Sequence, residues 1–318
     1  MKQIQTVLRF FAFLFLTLFF SHCHVSSHTY KNYTIISSNQ PFTLPIKPKT
    51  YVDFQTIKAA DWEVPLAGLL DLEDPKSKLA NLTDKLEPIS IYFYLVKHPK
   101  YGTFMIDSGI GESFTKGKDQ VPVNSIVASQ MNFDKLKVYE TTKSYLEKNK
   151  IQLKGIFFTH LHLDHVMGAS ELDQNIPFYV GPGEMDHSQF INVFVQGSTN
   201  RLLGENPNLL QLDFGDVNSG TFVFDFFGDQ SFFIISVPGH TRGSLAFFIP
   251  SKDGGHLVLG DTCHTRFGWL ENIIPGTFTT DPKLNRLSLD TLKGIATYQK
   301  TKYIYPGHQE RIVSKEQK

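Results

Sequence analysis

Four potential metal ligands lie within the six residues from His160 to His165, in the segment His-Leu-His-Leu-Asp-His. Side chains at alternate positions of an extended segment point to the same side, so His160 and His162 can bind one metal ion. The turn that follows can direct Asp164 and His165 towards a second ion. Imidazole nitrogens and carboxylate oxygens suit zinc, iron and manganese. The segment therefore predicts a metal centre, with zinc as the expected ion and iron or manganese as alternatives.

Three further candidate ligands follow predicted strands, and a glycine comes directly before each of them. They are His240 in Pro-Gly-His, Asp261 in Leu-Gly-Asp and His308 in Pro-Gly-His. Glycine permits the tight backbone that brings a loop residue close to a metal ion, and α/β folds commonly place their chemistry at strand ends. A single histidine in such a place is more often packed or hydrogen-bonded, but seven suitable side chains at strand ends favour a metal centre.

These motifs, in this order along the chain, resemble the metallo-β-lactamase superfamily from about Ile89 to the end of the sequence. The resemblance implies an α/β fold, a four-layer αβ/βα sandwich with two metal ions at the upper edge of its sheets. It also implies that Asp107, after an early strand, orients a histidine ligand or a loop. The implied ligands are five histidines and two aspartates: His160, His162 and His240 at the first metal, Asp164, His165 and His308 at the second, and Asp261 bridging both.

The residues around Asp261 indicate which branches of the superfamily this sequence resembles. The β-lactamases that use a cysteine ligand have it at the position of Asp261, whereas Cys263 lies two residues later and is expected to be a buried small residue. The aspartate instead resembles the glyoxalase II, quorum-signal lactonase and RNA-processing branches. His264 and Arg266 follow closely and could bind a carboxylate or phosphate of a substrate; equally, they could belong to a salt-bridged or solvated loop.

The implied chemistry is hydrolysis of a small ester, lactone or thioester. Two ions that share one hydroxide, with Asp164 and Asp261 as catalytic ligands, would supply a nucleophile at neutral pH. The alternatives are a persulfide-dioxygenase-like enzyme with one iron, a phosphodiesterase or nuclease, and a non-enzymatic protein that kept the fold. The complete ligand set argues against the first and the last. The 31 basic and 31 acidic side chains balance, which disfavours nucleic acid and favours a small-molecule partner.

Stepwise along the chain, strands and helices alternate as in an α/β protein. The segment from Tyr30 to Leu86 is expected to be mixed with Pro-rich loops, and 181–217 to be a loop and short-helix excursion. The predicted helices are Lys135–Lys148 and Leu284–Tyr298. The predicted strands are Ile89–Val96, Thr103–Ile106, Ile156–Thr159, Pro177–Val180, Thr221–Phe227, Ser231–Val237, Leu245–Ile249, Leu257–Leu259 and Tyr303–Tyr305. His98, His187 and His256 have no evident partners and are expected at the surface or in loops.

The first 27 residues are expected to be a signal peptide, followed by one domain over 28–318. Lys2 and Arg9 precede the apolar run Phe10–Phe20, which is shorter than the roughly 20 residues of a spanning helix. Cleavage is expected at Val25-Ser26-Ser27, giving a periplasmic or secreted protein. The alternatives are an uncleaved anchor and lipid attachment at Cys23, which are the only expected contacts with a membrane.

Overall fold

In the part of the chain that the structure describes, the larger of two β-sheets has eight strands. The computed structural model describes residues 23–34, 46–117, 120–214 and 223–314. The strands of this sheet are β1 (Tyr30–Thr34), β2 (Asp53–Pro65), β3 (Leu86–His98), β4 (Gly102–Ile106), β5 (Lys137–Val138), β6 (Leu153–Phe157), β7 (Phe178–Val180) and β8 (Leu209–Asp213). Their order is β1-β8-β7-β6-β4-β3-β2-β5. The pairs β4–β6, β6–β7, β7–β8 and β1–β8 are parallel.

The second sheet has six strands among the described residues, in the order β14-β13-β12-β11-β10-β9. They are β9 (Val223–Asp225), β10 (Phe233–Ser236), β11 (Leu245–Ile249), β12 (His256–Val258), β13 (Tyr303–Tyr305) and β14 (Ile312–Val313). Strands β12 and β13 are parallel, and the other pairs of this sheet are antiparallel.

The helices connect the strands and cover the outer faces of the sheets. They are α1 (Leu66–Leu69), α2 (Pro75–Leu79), α3 (Ser125–Gln130), α4 (Thr142–Lys148), α5 (Leu163–Val166), α6 (Asn192–Leu203), α7 (Arg266–Glu271) and α8 (Pro282–Tyr298). Helix α8 begins sharply because Asp281 accepts a hydrogen bond from the Leu284 amide and Pro282 takes the first helical position. No helix in the described ranges is long and apolar enough to cross a membrane.

Three apolar layers hold the sheets and helices together. The inner faces of the two sheets meet in an aromatic layer that includes Phe157 and Phe247, both fully buried. Leu202 of α6 packs on the outer face of the larger sheet, and Leu292 of α8 packs on the outer face of the smaller one. The layers therefore run helix, sheet, sheet, helix, which confirms the predicted four-layer αβ/βα sandwich.

The structure departs from the sequence-based predictions in three segments. The predicted helix Lys135–Lys148 consists of the short strand β5 followed by α4, because residues 137–138 pair with β2 and Thr141 caps a helix that begins only after it. The excursion 181–217 contains α6, which has 12 residues, and strand β8. The segment 30–86, expected to be mixed, contains the 13-residue strand β2. Residues 1–22 and 215–222, with parts of the predicted signal and of the strand Thr221–Phe227, lie outside the described residues.

Candidate metal centre

The predicted ligands lie at the carboxyl ends of strands that run in the same direction. Asp107 directly follows β4 and the segment 160–165 follows β6, which is parallel to β4. Asp261 follows β12 and His308 follows β13, which are also parallel. Because the carboxyl ends of parallel strands meet at one edge of a sheet, the ligands of both sheets face each other across the top of the sandwich.

His160, His162 and His240 form the first group of ligand atoms, which lie within 4.8 Å of one another. His240 Nε2 is 2.9 Å from His162 Nδ1. Burial lowers the pKa of His162 to about 4 and lowers the pKa values of His160 and His240 well below the usual range. These rings are therefore neutral at pH 7, which is the state in which an imidazole binds a metal ion.

Asp164, His165 and His308 form the second group. Asp164 Oδ2 lies 3.3 Å from His308 Nε2 and 3.9 Å from His165 Nε2. Burial opposes the charged form of His308, but the Asp261 carboxylate outweighs it and raises the pKa of His308. The same balance raises the pKa of His165 well above its usual range. The group combines a carboxylate with two imidazoles, the mixed oxygen and nitrogen donor set of many divalent metal sites.

Asp261 lies between the two groups, and five imidazole nitrogens converge on its Oδ2 atom. Burial favours the neutral carboxyl, but the surrounding histidines hold the pKa of Asp261 well below its usual range. The distances from Asp261 Oδ2 to the Nε2 atoms are 3.0 Å for His264, 3.2 Å for His308, 3.3 Å for His165, 3.5 Å for His240 and 3.7 Å for His160.

Unsatisfied polar atoms show that these residues fit a metal ion. His160 Nε2, His165 Nε2 and Asp261 Oδ1 are buried without a hydrogen-bond partner among the described residues. Each such atom costs about 1–3 kcal/mol when it stays unpaired, and a bound cation would satisfy all three. Gly307 leaves the necessary space, because a Cβ atom there would lie 2.1 Å from Asp261 Oδ1.

The Asp107 carboxylate forms hydrogen bonds that position a ligand of the second group, His165. It accepts hydrogen bonds from the Thr159 amide at 2.7 Å and from His165 Nδ1 at 2.8 Å. The bond to Nδ1 fixes the ring of His165 and leaves its Nε2 lone pair for a metal. Asp107 therefore has the geometry expected of a residue that orients a ligand.

The family sequence model described as Metallo-beta-lactamase superfamily matches residues 86–308. This range contains every residue of the two ligand groups. The chain belongs to this superfamily. A hydroxyacylglutathione hydrolase of Prochlorococcus marinus (strain MIT 9301) is 28% identical over 54% of this chain and 57% of its own length. The gamma-lactamase FDB1 of Fusarium pseudograminearum (strain CS3096) is 25% identical over 54% of this chain and 45% of its own length. The chain thus spans about half the length of the curated relatives it matches.

Solved structures support the same fold. A quorum-quenching N-acyl homoserine lactone lactonase superposes with a TM-score of 0.60 at 19% identity, over 82% of this chain and 94% of its own. AidC, a dizinc quorum-quenching lactonase, superposes with a TM-score of 0.52 at 16% identity, over 84% and 99%. At these identities the similarity supports the four-layer sandwich alone.

Glu184 is buried close to the metal centre, and the sequence analysis did not identify it as a functional residue. One carboxylate oxygen accepts the Leu161 amide at 2.8 Å, between the first two histidines. The other accepts the Thr241 hydroxyl at 2.7 Å and the Gly243 amide at 2.9 Å, just after His240. Glu184 thus ties the two loops that carry the first group. A single glutamate in a loop of irregular sequence gives no signal of this role.

The two residues expected to bind substrate differ in position. His264 is buried against Asp261 in the centre. The Arg266 guanidinium instead donates to the carbonyl of Arg311 at 2.7 Å and lies along the segment that follows His308. The predicted role of Arg266 in substrate binding stays a prediction. Cys263 is buried, and burial raises the pKa of its thiol to about 12, so it stays protonated at neutral pH.

Two histidines expected at the surface are also placed differently. His98 is buried, and its Nε2 lies 2.8 Å from Asp229 Oδ2. His256 is half-buried and lies 2.9 Å from the Tyr305 hydroxyl. The partners lie 131 and 49 positions away in the sequence, so no local pattern indicates either contact. Neither ring lies in the metal centre.

Proposed function

We propose that this protein is a dinuclear metal-dependent hydrolase of a small ester, lactone or thioester. The observation that carries the proposal is the convergence of the ligand groups on Asp261, with one three-residue group on each side of its carboxylate. A carboxylate between two such groups is suited to bridging two ions. The similarity to a hydroxyacylglutathione hydrolase and to a homoserine lactone lactonase supports a carbonyl substrate.

A pair of divalent ions, when bound, would supply hydroxide at neutral pH and polarise a carbonyl oxygen. The protein's own groups prepare for this in two ways. Burial keeps the rings of the first group neutral and ready to bind. Asp107 fixes the orientation of His165 in the second group. Zinc is the ion we propose, with iron or manganese as alternatives.

Turnover of the Asp261→Ala variant tests this function. The zinc-loaded protein is assayed with a panel of lactones, thioesters, carboxylic esters and phosphodiesters. We expect turnover of a carbonyl substrate, and a loss of about 100-fold or more in Asp261→Ala because both ions lose a ligand. Asp290→Ala, an exposed aspartate of α8, serves as the matched control. Wild-type turnover in Asp261→Ala, or turnover of phosphodiesters alone, would contradict the proposal.

We also propose that the protein is exported by its N-terminal segment, to the periplasm or the medium. The support is the sequence pattern of Lys2, Arg9 and the apolar run Phe10–Phe20. Mass spectrometry of the mature N-terminus would test it and would separate cleavage near Ser27 from a retained anchor or a lipid on Cys23. A protein found in the cytosol with its first residues intact would contradict export.

A further inference from the structure

We propose that His264 is an additional metal ligand, which binds through Nε2 beside the seven residues that the superfamily resemblance implies. The inference rests on the proposed metal centre and extends it. The His264 side chain is 1% exposed, and its Nε2 makes the shortest of the five approaches to Asp261 Oδ2, at 3.0 Å. With His240 and Asp261 it forms a further group of ligand atoms within 4.8 Å of one another.

The hydrogen bond on the other side of the ring fixes the tautomer of His264. Its Nδ1 lies 3.1 Å from the carbonyl oxygen of Leu69. A carbonyl oxygen only accepts, so Nδ1 must carry the hydrogen. In the neutral ring the lone pair is then on Nε2, which is the atom that faces the centre.

The same arrangement orients four of the implied ligands. In each of them Nδ1 contacts a protein oxygen and Nε2 points inward, which is how proteins commonly hold metal-binding histidines. The contacts are His160 with the Thr159 hydroxyl at 3.1 Å, His165 with the Asp107 carboxylate at 2.8 Å, His240 with the Thr279 hydroxyl at 3.3 Å and His308 with the Ser90 carbonyl at 3.2 Å. His264 therefore has the bonding pattern of a ligand.

The tautomer of His264 also distinguishes between its two candidate roles, metal binding and substrate binding. A neutral ring with its hydrogen on Nδ1 cannot donate a hydrogen bond from Nε2 to a substrate carbonyl or carboxylate. With its hydrogen on Nδ1, a neutral ring directs the Nε2 lone pair to the space beside Asp261 Oδ2, 3.0 Å away. A metal ion could bind to both atoms, which belong with His240 to one cluster of ligand atoms within 4.8 Å of one another. The geometry therefore favours metal binding over the substrate binding that the sequence suggested.

Helix α1 keeps the Leu69 carbonyl in place. The Leu70 amide donates to the Leu66 carbonyl at 3.0 Å, which closes the turn. Gly276 packs directly against this turn, since a Cβ atom there would lie 1.9 Å from the Ala67 carbonyl oxygen. The loop between β2 and β3 thus contributes to the orientation of His264 without supplying a ligand itself.

Nitrogen NMR of the histidine rings tests the proposal directly. The full chain is labelled with ¹⁵N-histidine, loaded with zinc, and the ring resonances are compared with those of His264→Gln to assign His264. We expect Nε2 of His264 to carry no hydrogen and to show the shift of a metal-bound nitrogen, while Nδ1 carries a hydrogen. A directly bonded hydrogen on Nε2 in the zinc-loaded protein would overturn the proposal.

Zinc affinity gives a second, independent measurement. We expect His264→Gln to bind one zinc ion about 10–100-fold more weakly, by analogy with other losses around metal sites. His256→Gln, a half-buried histidine outside the centre, should leave both affinities unchanged. If the wild type binds two zinc ions and His264→Gln binds them with unchanged affinity, His264 is not a ligand. The dinuclear hydrolase function would still stand in that case. A wild type that binds no zinc would overturn both.

Discussion

Asp107 combines an unusual backbone conformation with a central hydrogen-bonding role. Its φ angle is +54°, in the left-handed region that side chains other than glycine, asparagine and aspartate rarely adopt. That conformation turns the carboxylate towards Thr159 and His165, which both donate to it. The strained backbone of Asp107 therefore places its carboxylate for hydrogen bonding, and strain of this kind is common at functional sites.

The Asp107→Asn variant separates these two properties. Asparagine tolerates the same backbone, so the fold should survive, but its neutral amide holds His165 more weakly. We expect zinc affinity at the second group to fall about 10–100-fold, measured by competition with a chromophoric chelator. The melting temperature of the metal-free protein serves as the control for folding. Unchanged affinity in a well-folded variant would show that Asp107 does not orient the ligand.

At the scale of elements, Glu184 connects two loops that belong to different sheets. The loop after β6 carries His160 and His162, and the loop after β10 carries His240. Glu184 accepts hydrogen bonds from both. Burial raises the pKa of Glu184, although its three hydrogen-bond donors oppose this. The close approach depends on Gly243, where a Cβ atom would lie 2.5 Å from Glu184 Cβ.

We expect Glu184→Gln to weaken metal binding at the first group. The glutamine keeps the shape of the side chain, but its amide nitrogen is a donor placed against donors. The mismatch should cost about 1–3 kcal/mol in the free energy of unfolding and lower zinc affinity by about 10-fold or more. Calorimetric titration measures the affinity, and denaturant unfolding measures the stability.

Glu171→Gln is the matched control for this variant. Glu171 also accepts two backbone amides, from Glu112 at 2.7 Å and Ser113 at 3.0 Å, but binds no ligand loop of the first group. It should lose stability with little change in zinc affinity. Equal losses of affinity in both variants would mean that Glu184 acts only on general stability.

The elements that could be predicted from the sequence are those with a strong local pattern. Strands such as β11 are uninterrupted apolar runs, and α8 has both an amphipathic period and a capping residue. Strand β2 was missed because it is half exposed and its apolar positions are separated by charged ones. The ligand types and spacing were visible because metal binding restricts residue type. The role of Glu184 could not be predicted from the sequence, because its hydrogen-bond partners come together only in the folded chain.

At the scale of the whole molecule, the segment 23–34 packs on the body of the domain. Strand β1 pairs in parallel with β8. The Ser26 hydroxyl donates to Asn200 at 2.7 Å, and the Cys23 carbonyl accepts from the Asn192 side chain at 2.9 Å. Val25 is buried in the core of the larger sheet. Residues 23–27, which fall within the expected signal peptide, therefore make stabilising contacts in the described structure.

A chain that begins at His28 should be less stable than one that begins at Cys23. Loss of the buried Val25 side chain alone should lower the free energy of unfolding by about 1.5–3 kcal/mol. Denaturant unfolding of the two purified chains measures the difference. Zinc content should be the same in both, because the segment contributes no residue to the metal groups. Equal stabilities would show that residues 23–27 are dispensable for the fold.

Metal content per chain tests the central claim most directly. The full-length protein is purified without chelator, reconstituted with zinc, desalted and measured by elemental analysis. The convergence of two ligand groups on Asp261 predicts two equivalents per chain in the wild type and fewer in Asp261→Ala. The absence of bound metal after reconstitution, or a single equivalent of iron as the only metal that the protein retains, would contradict the dinuclear centre.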